Sequence, residues 1–350
     1  MRNRNGALAF LGRRWASLFL LLELVVFSVV GRGFLTLNGI QIVLFYGTSL
    51  FLLATAETFV IITGGIDLSV GFVMGFTTIV SAKLVAAFTR GGMAPGAAIA
   101  LGIVATLAIG LLPGALSGLF VGRLGVPAFL ATFATGGIVY GTSSLLIGGV
   151  AAKDVPILAN EIGNSNLLYW AQGRGFAFFT RPEVARGTRV VEIVPTMVVV
   201  TALVVLAAAF LLHRTRFGRH TYAIGGNIDA AVRAGIDTRR HFLAIYLLSA
   251  FFATLAGIMY MLEYVTGKAD AGVSYLLDAI VCVVLGGASL FGGSGSVWGT
   301  ALGCLILSVL ETGLRIAGIQ TFDKFIAVGL VLVLAVLIEQ YTPETARKED

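Results

Sequence analysis

The sequence predicts an all-α, polytopic membrane protein with about ten transmembrane helices, some of them broken. Three observations carry this prediction. Of the 350 residues, 57% are hydrophobic and only 12% are charged, whereas soluble domains carry about 25% charged residues. Apolar runs of membrane-spanning length recur along the chain. One of them is interrupted by two glycines and a carboxylate, Gly64, Gly65 and Asp67, and such an interruption is costly in a bilayer.

The spans follow from the length of each apolar run, because a helix needs about 20 mostly apolar residues to cross the hydrocarbon core. The eighth and ninth runs are short and are separated only by glycine- and serine-rich sequence, so they are either half-helices or a re-entrant pair. The chain is predicted to form one transmembrane domain. The ten predicted spans are residues 15–31, 42–62, 69–89, 96–121, 128–148, 193–213, 242–262, 276–291, 297–315 and 322–341.

Lysine and arginine concentrate on one side of this ten-span topology. They precede the first span, fill the loop 214–241 and occur again at Arg123 and at the C-terminus. Cytoplasmic loops carry such an excess, so both termini and the loop 214–241 are predicted to be cytoplasmic. The net charge of +6 therefore belongs to loops beside the membrane and does not indicate binding of nucleic acid.

Residues 149–192 are the long segment predicted on the opposite, outer face. Aromatic side chains are enriched at membrane interfaces. The segment is therefore predicted either as an aromatic belt at the lipid headgroups or as an interfacial helix that helps to dock an outer partner. Its aromatic residues include Tyr169, Trp170, Phe176, Phe178 and Phe179.

The break after the second span is the first candidate for a transport path or gate. Irregular backbone in a bilayer is tolerated only against protein or a wet cavity. Glu57 lies within the second span, and intramembrane carboxylates face a bundle interior or a cavity. For Glu57 the alternative is a structural hydrogen bond to a neighbouring helix. The residues of the break that are predicted to form the transport path or gate with Glu57 are Thr63, Gly64, Gly65 and Asp67.

Two aspartates have a second interpretation as helix caps. Asp67 stands just before the third span, and Asp278 stands at the start of the eighth. An aspartate in such a position accepts hydrogen bonds from the unpaired N–H groups of the first helical turn. Each is therefore predicted either as an N-cap or as part of the transport path.

Residues 62–71 and 265–274 form a candidate inverted repeat. Thr, Gly, Asp and Val recur at matched positions in the two stretches. The first copy follows the second span and the other follows the seventh, and these spans run in opposite directions. The copies are therefore expected at opposite faces, as in transporters whose broken helices flank the substrate site. A chance match over so short a stretch is the alternative.

The loop 214–241 contains the signal of a short helix between arginine-rich flanks. Asn227 or Asp229 is in position to cap a helix from about 228 to 234, and Gly235 is in position to end it. A capped helix in this setting suits docking of a cytoplasmic partner. A surface helix held at anionic lipid headgroups is the alternative.

No residue pattern in the chain indicates covalent chemistry. A G-x-x-x-x-G-K-[ST] nucleotide loop does not occur. The spacing of His213, His220 and His241 fits no familiar metal site, and the spans hold no His–Asp or Cys–His grouping. No enzymatic activity, cofactor or metal is expected in this chain.

Three separated stretches carry the signature of a family. The first runs from Thr58 to Gly71, the second contains Arg216-Phe217-Gly218-Arg219 and Tyr222-Ala223-Ile224-Gly225-Gly226-Asn227, and the third runs from Leu277 to Ser296 with two glycine pairs. Together they resemble the permease subunit of ATP-binding-cassette sugar importers of the ribose, xylose and galactose type. The resemblance covers most of the chain from about residue 40 onward, to judge by these motifs and the hydropathy pattern.

The resemblance implies a coupling segment of the form Glu-Ala-Ala, three residues, Gly. In this chain Asp229, Ala230, Ala231 and Gly235 fit that spacing, with aspartate in place of glutamate, and Asn227 precedes them. Such a segment inserts into a cleft on a separate cytoplasmic ATPase, which binds ATP and Mg. The resemblance also implies two permease copies around a pore, a periplasmic sugar-binding protein and a location in the bacterial inner membrane. The expected substrate is a monosaccharide or a related polyol.

A self-contained secondary transporter of a small polar solute is the alternative function. Broken helices, intramembrane acids and an inverted repeat fit it equally well. The coupling segment between arginine-rich flanks favours the ATP-driven importer. Uptake driven by an ion gradient alone, without an ATPase, would favour the secondary transporter.

Overall fold

The structure, a computed structural model, describes residues 2–184 and 188–319, together with residues 326, 327, 329, 330 and 333. The predicted tenth span, 322–341, lies mostly outside the described residues and stays a prediction. The described helices are α1 Arg2–Val30, α2 Leu37–Ile62, α3 Val70–Arg90, α4 Pro95–Gly122, α5 Ala128–Ile147, α6 Ile157–Gly163, α7 Thr196–Arg214, α8 Arg216–Gly226, α9 Ile228–Arg233, α10 Thr238–Tyr264, α11 Val273–Leu285 and α12 Val297–Ile316. The described strands are β1 Asn166–Ala171, β2 Gly175–Phe178 and β3 Val190–Pro195.

Seven helices in the described part of the chain are long and apolar enough to cross a membrane: α2, α3, α4, α5, α7, α10 and α12. Their ends lie within a few residues of the predicted spans, because each ends where the apolar run ends. Of two shorter apolar helices, Trp15–Val30 within α1 matches the first predicted span, whereas the 13-residue α11 only overlaps the eighth and ends at Leu285, before its predicted end at 291. The structure supports a polytopic membrane protein and does not confirm the count of ten.

The described residues form a bundle with two distinct ends. The 19-residue α7 starts directly after β3 and leads into α8 and α9, so the sheet and α9 lie at opposite ends. We call these the sheet end and the α9 end. α10 begins after α9 and finishes at the sheet end, where the side-chain amide of Asn160 on α6 donates to the Glu263 carbonyl oxygen at 2.7 Å.

The contact between α4 and α10 depends on glycines spaced four residues apart. A Cβ at Gly114 would overlap the Tyr246 carbonyl oxygen. A Cβ at Gly118 would lie 2.8 Å from the Leu243 Cα. Small residues at this spacing let two helix backbones touch, and such packing holds helices together where lipid removes the hydrophobic driving force. α10 therefore has a fixed position against α4.

The 149–192 segment contains a small antiparallel sheet in the order β2-β1-β3, so the all-α prediction is wrong for this part of the chain. Gly173 and Gly175, both with a φ of +81°, permit the tight turn from β1 to β2. Phe176 and Phe178 on β2 are 66% and 63% exposed. The aromatic residues therefore lie on strands and their connections and not on an interfacial helix.

Candidate translocation and coupling site

The first break, residues 63–69, is a non-helical segment between α2 and α3. α2 ends at Ile62, and Gly64 has a φ of +81°, a conformation that glycine adopts without strain. The buried Thr63 donates its hydroxyl to the Val60 carbonyl oxygen at 2.7 Å. The chain turns back at this point and enters the bundle before α3 begins at Val70.

Asp67 is buried and joins the break to α10. Its Oδ1 accepts hydrogen bonds from the Ser69 backbone N–H at 2.9 Å and from the Ser69 hydroxyl at 2.6 Å. Its Oδ2 accepts from the Ser249 hydroxyl on α10 at 2.7 Å. The prediction of an N-cap is wrong, because Ser69 occupies the N-cap position of α3 and Asp67 forms a turn two residues earlier.

Glu57 on α2 is buried beside Asp67. Its Oε2 lies 3.4 Å from the Asp67 backbone N–H, which donates to it, and its Oε1 has no partner among the described residues. The Tyr246 hydroxyl on α10 is also buried and unpaired there, and it lies 3.2 Å from where a Gly65 Cβ would stand. Each buried group without a partner costs roughly 1–3 kcal/mol. Packing alone does not explain this cluster.

Thr132 on α5 holds the other side of the break. Its Oγ1 accepts a hydrogen bond from the Leu68 backbone N–H at 3.1 Å, and it lies 3.1 Å from the Ile66 carbonyl oxygen and 2.9 Å from the Ala128 carbonyl oxygen of its own helix. The break is thus tied to α5 through Thr132 and to α10 through Ser249. Threonine and serine are common in membrane helices, so neither residue has a sequence signal that would have identified it.

The second break, residues 265–272, lies between α10 and α11. Gly267 pairs with Ala152 through backbone hydrogen bonds of 2.8 and 2.9 Å at the sheet end. The Lys268 backbone N–H then donates to the Thr78 hydroxyl on α3 at 2.9 Å. This segment therefore enters the bundle from the sheet end and runs along α3.

Inside the bundle, Gly71 in the first turn of α3, just after the first break, meets Gly272 at the end of the second break. A Cβ on either glycine would overlap the carbonyl oxygen of the other, so the two backbones are in direct contact. The first break enters from the α9 end and the second from the sheet end, which is the arrangement expected of the candidate inverted repeat. Asp278 is buried within α11. The prediction that Asp278 starts a helix is wrong, because α11 begins at Val273.

At the α9 end, α8 rests on the end of α2. A Cβ at Gly225 would overlap the Ile62 carbonyl oxygen. The same oxygen accepts a hydrogen bond from the Gly293 N–H at 2.9 Å, and the Tyr222 hydroxyl donates to the Gly295 carbonyl oxygen at 2.7 Å. Burial raises the pKa of Tyr222, so its phenol stays protonated and able to donate. The end of α2, just before the first break, is therefore in contact with both α8 and the glycine loop 286–296, which also contact each other.

The predicted short helix is present as α9. Asn227 caps it, with Oδ1 accepting from the Ala230 N–H at 2.8 Å, so Asn227 and not Asp229 is the cap. Asp229 lies in the first turn, where a negative charge is favourable. Gly235 follows with a φ of +83° and ends the helix as predicted.

The exposed surface of α9 is partly apolar. Ile228 is 45% and Val232 is 53% exposed, whereas Ala231 is buried. Among the small residues at the predicted coupling positions, Ala231 therefore faces the protein, whereas Ala230 and Gly235 are exposed. Exposed apolar groups beside charged ones are typical of a surface that contacts another protein.

A polar cavity of about 340 Å³ opens at the sheet end beside the second break. Tyr140 and Ser144 on α5 line one side, and Lys268 and Asp270 line the other. The sequence did not single out Tyr140, Ser144 or Lys268, whereas Asp270 is the matched aspartate of the second repeat copy. In the described part of the chain, no group of three His, Cys, Asp or Glu side chains is placed to hold a metal ion.

Comparison with known proteins identifies the family. Residues 39–338 match the family described as the permease component of the branched-chain amino acid transport system. The ribose import permease protein of Escherichia coli strain K12 is 33% identical over 95% of this chain and 94% of its own length. The corresponding protein of Bacillus subtilis strain 168 is 36% identical over 92% and 90%.

A fructose import permease protein of Rhizobium meliloti is 32% identical over 93% of this chain and 85% of its own length. No solved structure matches the chain. The chain thus belongs to the family of transport-system permease components, and these relatives within it are sugar import permeases.

Proposed function

We propose that this chain is the permease subunit of an ATP-driven importer that carries a monosaccharide or a related polyol across the bacterial inner membrane. Relatives named for ribose and fructose import match it over almost its whole length. The observation that carries the proposal is the contact of Gly225 and Gly293 with Ile62. This contact connects a surface helix to the first break in the transmembrane bundle.

In the proposed mechanism, a separate cytoplasmic ATPase binds α9 through Ile228 and Val232. The shape of this helix depends on its coupling residues, Asn227, Asp229, Ala230, Ala231 and Gly235. ATP binding moves the ATPase, and α9 and α8 move with it. Because packed interfaces switch between discrete arrangements, the contact at Ile62 passes this movement to the first break. Hydrolysis takes place in the partner, and no bond is made or broken in this chain.

The proposed route of the sugar runs beside both breaks. The cavity at the sheet end receives the sugar from a periplasmic binding protein, and a second permease copy completes the pore. In this orientation the α9 end and both termini are cytoplasmic. The exposed apolar side chains of α5 and α11 supply the surface that faces the second copy or the lipid. The residues proposed to form the path and its gate are Glu57, Thr63, Gly64, Gly65, Asp67 and Asp278.

Gly235→Val is expected to uncouple ATP hydrolysis from transport. A side chain other than glycine in the left-handed conformation costs roughly 1–2 kcal/mol, so valine would shift the end of α9. The complex with its ATPase, reconstituted in proteoliposomes, should hydrolyse ATP while importing less sugar per ATP. The readout is the ratio of labelled sugar imported to phosphate released.

Gly92→Val is the matched control for this variant. Gly92 also has a positive φ, +89°, with open space around it, but it lies in the turn after α3, away from α9. The Gly92→Val variant carries the same backbone strain and should leave the ratio of sugar imported to phosphate released unchanged. A normal ratio in the Gly235 variant would contradict the coupling role. Uphill import by the permease alone under an ion gradient would instead favour the secondary transporter.

Glu57→Gln is expected to reduce sugar import while the complex stays assembled. Glutamine has nearly the same shape but places an amide beside the Asp67 backbone and the Tyr246 hydroxyl, which changes the polar cluster without leaving a cavity. Import should fall about tenfold or more if the cluster gates the path, which corresponds to about 1.4 kcal/mol. Import rate and subunit stoichiometry should be measured on the same preparation, and normal import would remove Glu57 from the path.

A further inference from the structure

A basic cavity lies between α4 and α10 at the α9 end. Its volume is about 410 Å³, and Arg123, Arg239 and Arg240 stand around it. Leu119 and Leu243 form its apolar part. The cavity does not touch either break, so the proposed transport path makes no use of it.

The charge in this cavity is only partly compensated. Asp237 also lines it and pairs with Arg240, whose Nε lies 3.1 Å from the Asp237 Oδ2. Arg123 and Arg239 form no ion pair with any carboxylate among the described residues. Two exposed guanidinium groups therefore line the cavity without an ion pair of their own, because Asp237 is paired with Arg240.

Close helix packing holds the two arginines together. A Cβ at Gly122 would lie 2.7 Å from the Arg239 carbonyl oxygen, so the backbone next to Arg123 touches the backbone of Arg239. Like charges held side by side repel each other. A bound anion would relieve this repulsion, and two guanidinium groups offer the paired N–H donors that bind phosphate oxygens.

The apolar part of the cavity continues along the membrane-facing side of α4. Leu119 is 40% exposed, Leu243 is 37% exposed, and Leu112, farther along α4, is 64% exposed. A ligand that fills both parts has an anionic head beside an apolar tail. Basic pockets between transmembrane helices bind the headgroups of anionic lipids in this way. A free phosphate or an acidic protein side chain would use only the arginines.

We infer that this cavity is a binding site for an anionic phospholipid of the leaflet at the α9 end. The phosphodiester lies between Arg123 and Arg239, and one acyl chain follows Leu119 and Leu243 into the bilayer. The lipid joins α4 to the start of α10. It therefore stabilises the helix that carries Ser249 and that follows directly after α9.

The test measures phosphatidylglycerol bound to the purified full-length protein by native mass spectrometry, with phosphatidylcholine as the neutral competitor. An arginine beside an anionic lipid contributes roughly a fivefold change in affinity, so R123Q/R239Q should bind phosphatidylglycerol about 25-fold more weakly. Phosphatidylcholine binding should not change. R174Q, which removes an exposed arginine from the β1–β2 turn, is the control and should bind phosphatidylglycerol as the wild type does.

The wild-type protein supplies a second measurement that does not depend on folding of the double variant. Salt at about 1 M reduces the Debye length to about 3 Å, so it should weaken the preference for phosphatidylglycerol over phosphatidylcholine. Equal phosphatidylglycerol binding in R123Q/R239Q and wild type would overturn the inference, as would a preference that salt does not weaken. Displacement of the lipid by equimolar inorganic phosphate would show a phosphate site instead. Unchanged lipid binding with loss of the co-purifying ATPase would show a protein contact.

Discussion

Gly225→Ala is expected to abolish sugar import. The added methyl group would overlap the carbonyl oxygen of Ile62 and crowd the nitrogen of Gly293. Both of these atoms belong to the backbone, so neither can move aside by rotation of a side chain. Overpacking of this kind costs typically 1–3 kcal/mol, and more where the neighbours cannot shift. α8 must separate from the end of α2, and the contact proposed to transmit movement from α9 is lost. Import and ATP hydrolysis should be measured on the same reconstituted complex.

Gly226→Ala is the control for this experiment, because it makes the same change at the next residue of the same helix. A Cβ at Gly226 has no heavy atom within 4 Å, so the variant should import sugar at close to the wild-type rate. If both variants lose import equally, helix propensity or assembly is responsible rather than contact with Ile62. If Gly225→Ala imports normally, the proposed transmission through this contact is wrong.

The long helices were predictable from the sequence because apolar length alone determines them. The predicted second span, 42–62, ends at the same residue as α2, and the predicted fifth span, 128–148, begins at the same residue as α5. The sequence also predicted α9, because Asn227 and Gly235 are local signals for the start and end of a helix. Each of these predictions needs only neighbours along the chain.

The pairing of β1 with β3 could not be predicted in the same way, whereas the β1–β2 hairpin is local. β1 pairs with β3, and the residues that pair, such as Tyr169 and Glu192, are far apart in the sequence. Strand preference depends on which neighbours pack against the strand, and the aromatic residues of this segment also suit a membrane interface. The pattern therefore left two interpretations, neither of which included strands.

The candidate site was predictable in its acids and glycines but not in its hydroxyl groups. Glu57 and Asp67 stand out because carboxylates are rare in apolar spans. Ser249 and Thr132 do not stand out, and they gain their role only when α10 and α5 pack on either side of the break. Gly225 belongs to a motif that indicates the family, but the contact that requires a glycine there is visible only in three dimensions.

Asp67→Ala is expected to produce the second large loss, in both stability and import. The substitution removes the acceptor of three hydrogen bonds, from the Ser69 N–H, the Ser69 hydroxyl and the Ser249 hydroxyl. Leaving a buried donor without a partner costs roughly 1–3 kcal/mol, so the free energy of unfolding should fall by about 3 kcal/mol. The first break would lose its bond to α10, and import should be nearly absent.

A double-mutant cycle with Ser249→Ala tests where this loss originates. Ser249→Ala alone should destabilise the protein by about 1 kcal/mol and should add almost nothing in the Asp67→Ala background, because its partner is already gone. Ser143→Ala is the matched control, since among the described residues that buried hydroxyl bonds only to the Val139 carbonyl oxygen of its own helix. Its effect should add fully to that of Asp67→Ala, as expected for sites that share no partner.

The cycle separates two origins of the loss, because thermal unfolding in detergent and import in proteoliposomes are measured for each variant. If the effects of Ser249→Ala and Asp67→Ala are non-additive in both measurements, the hydrogen bond between α10 and the first break holds the break in place. If their stability effects add fully, the Asp67→Ala loss arises from the turn at Ser69, and the break is held from α5 through Thr132 instead. In that case α10 would move without the break, and movement at α9 would reach the path only through α8 and Ile62.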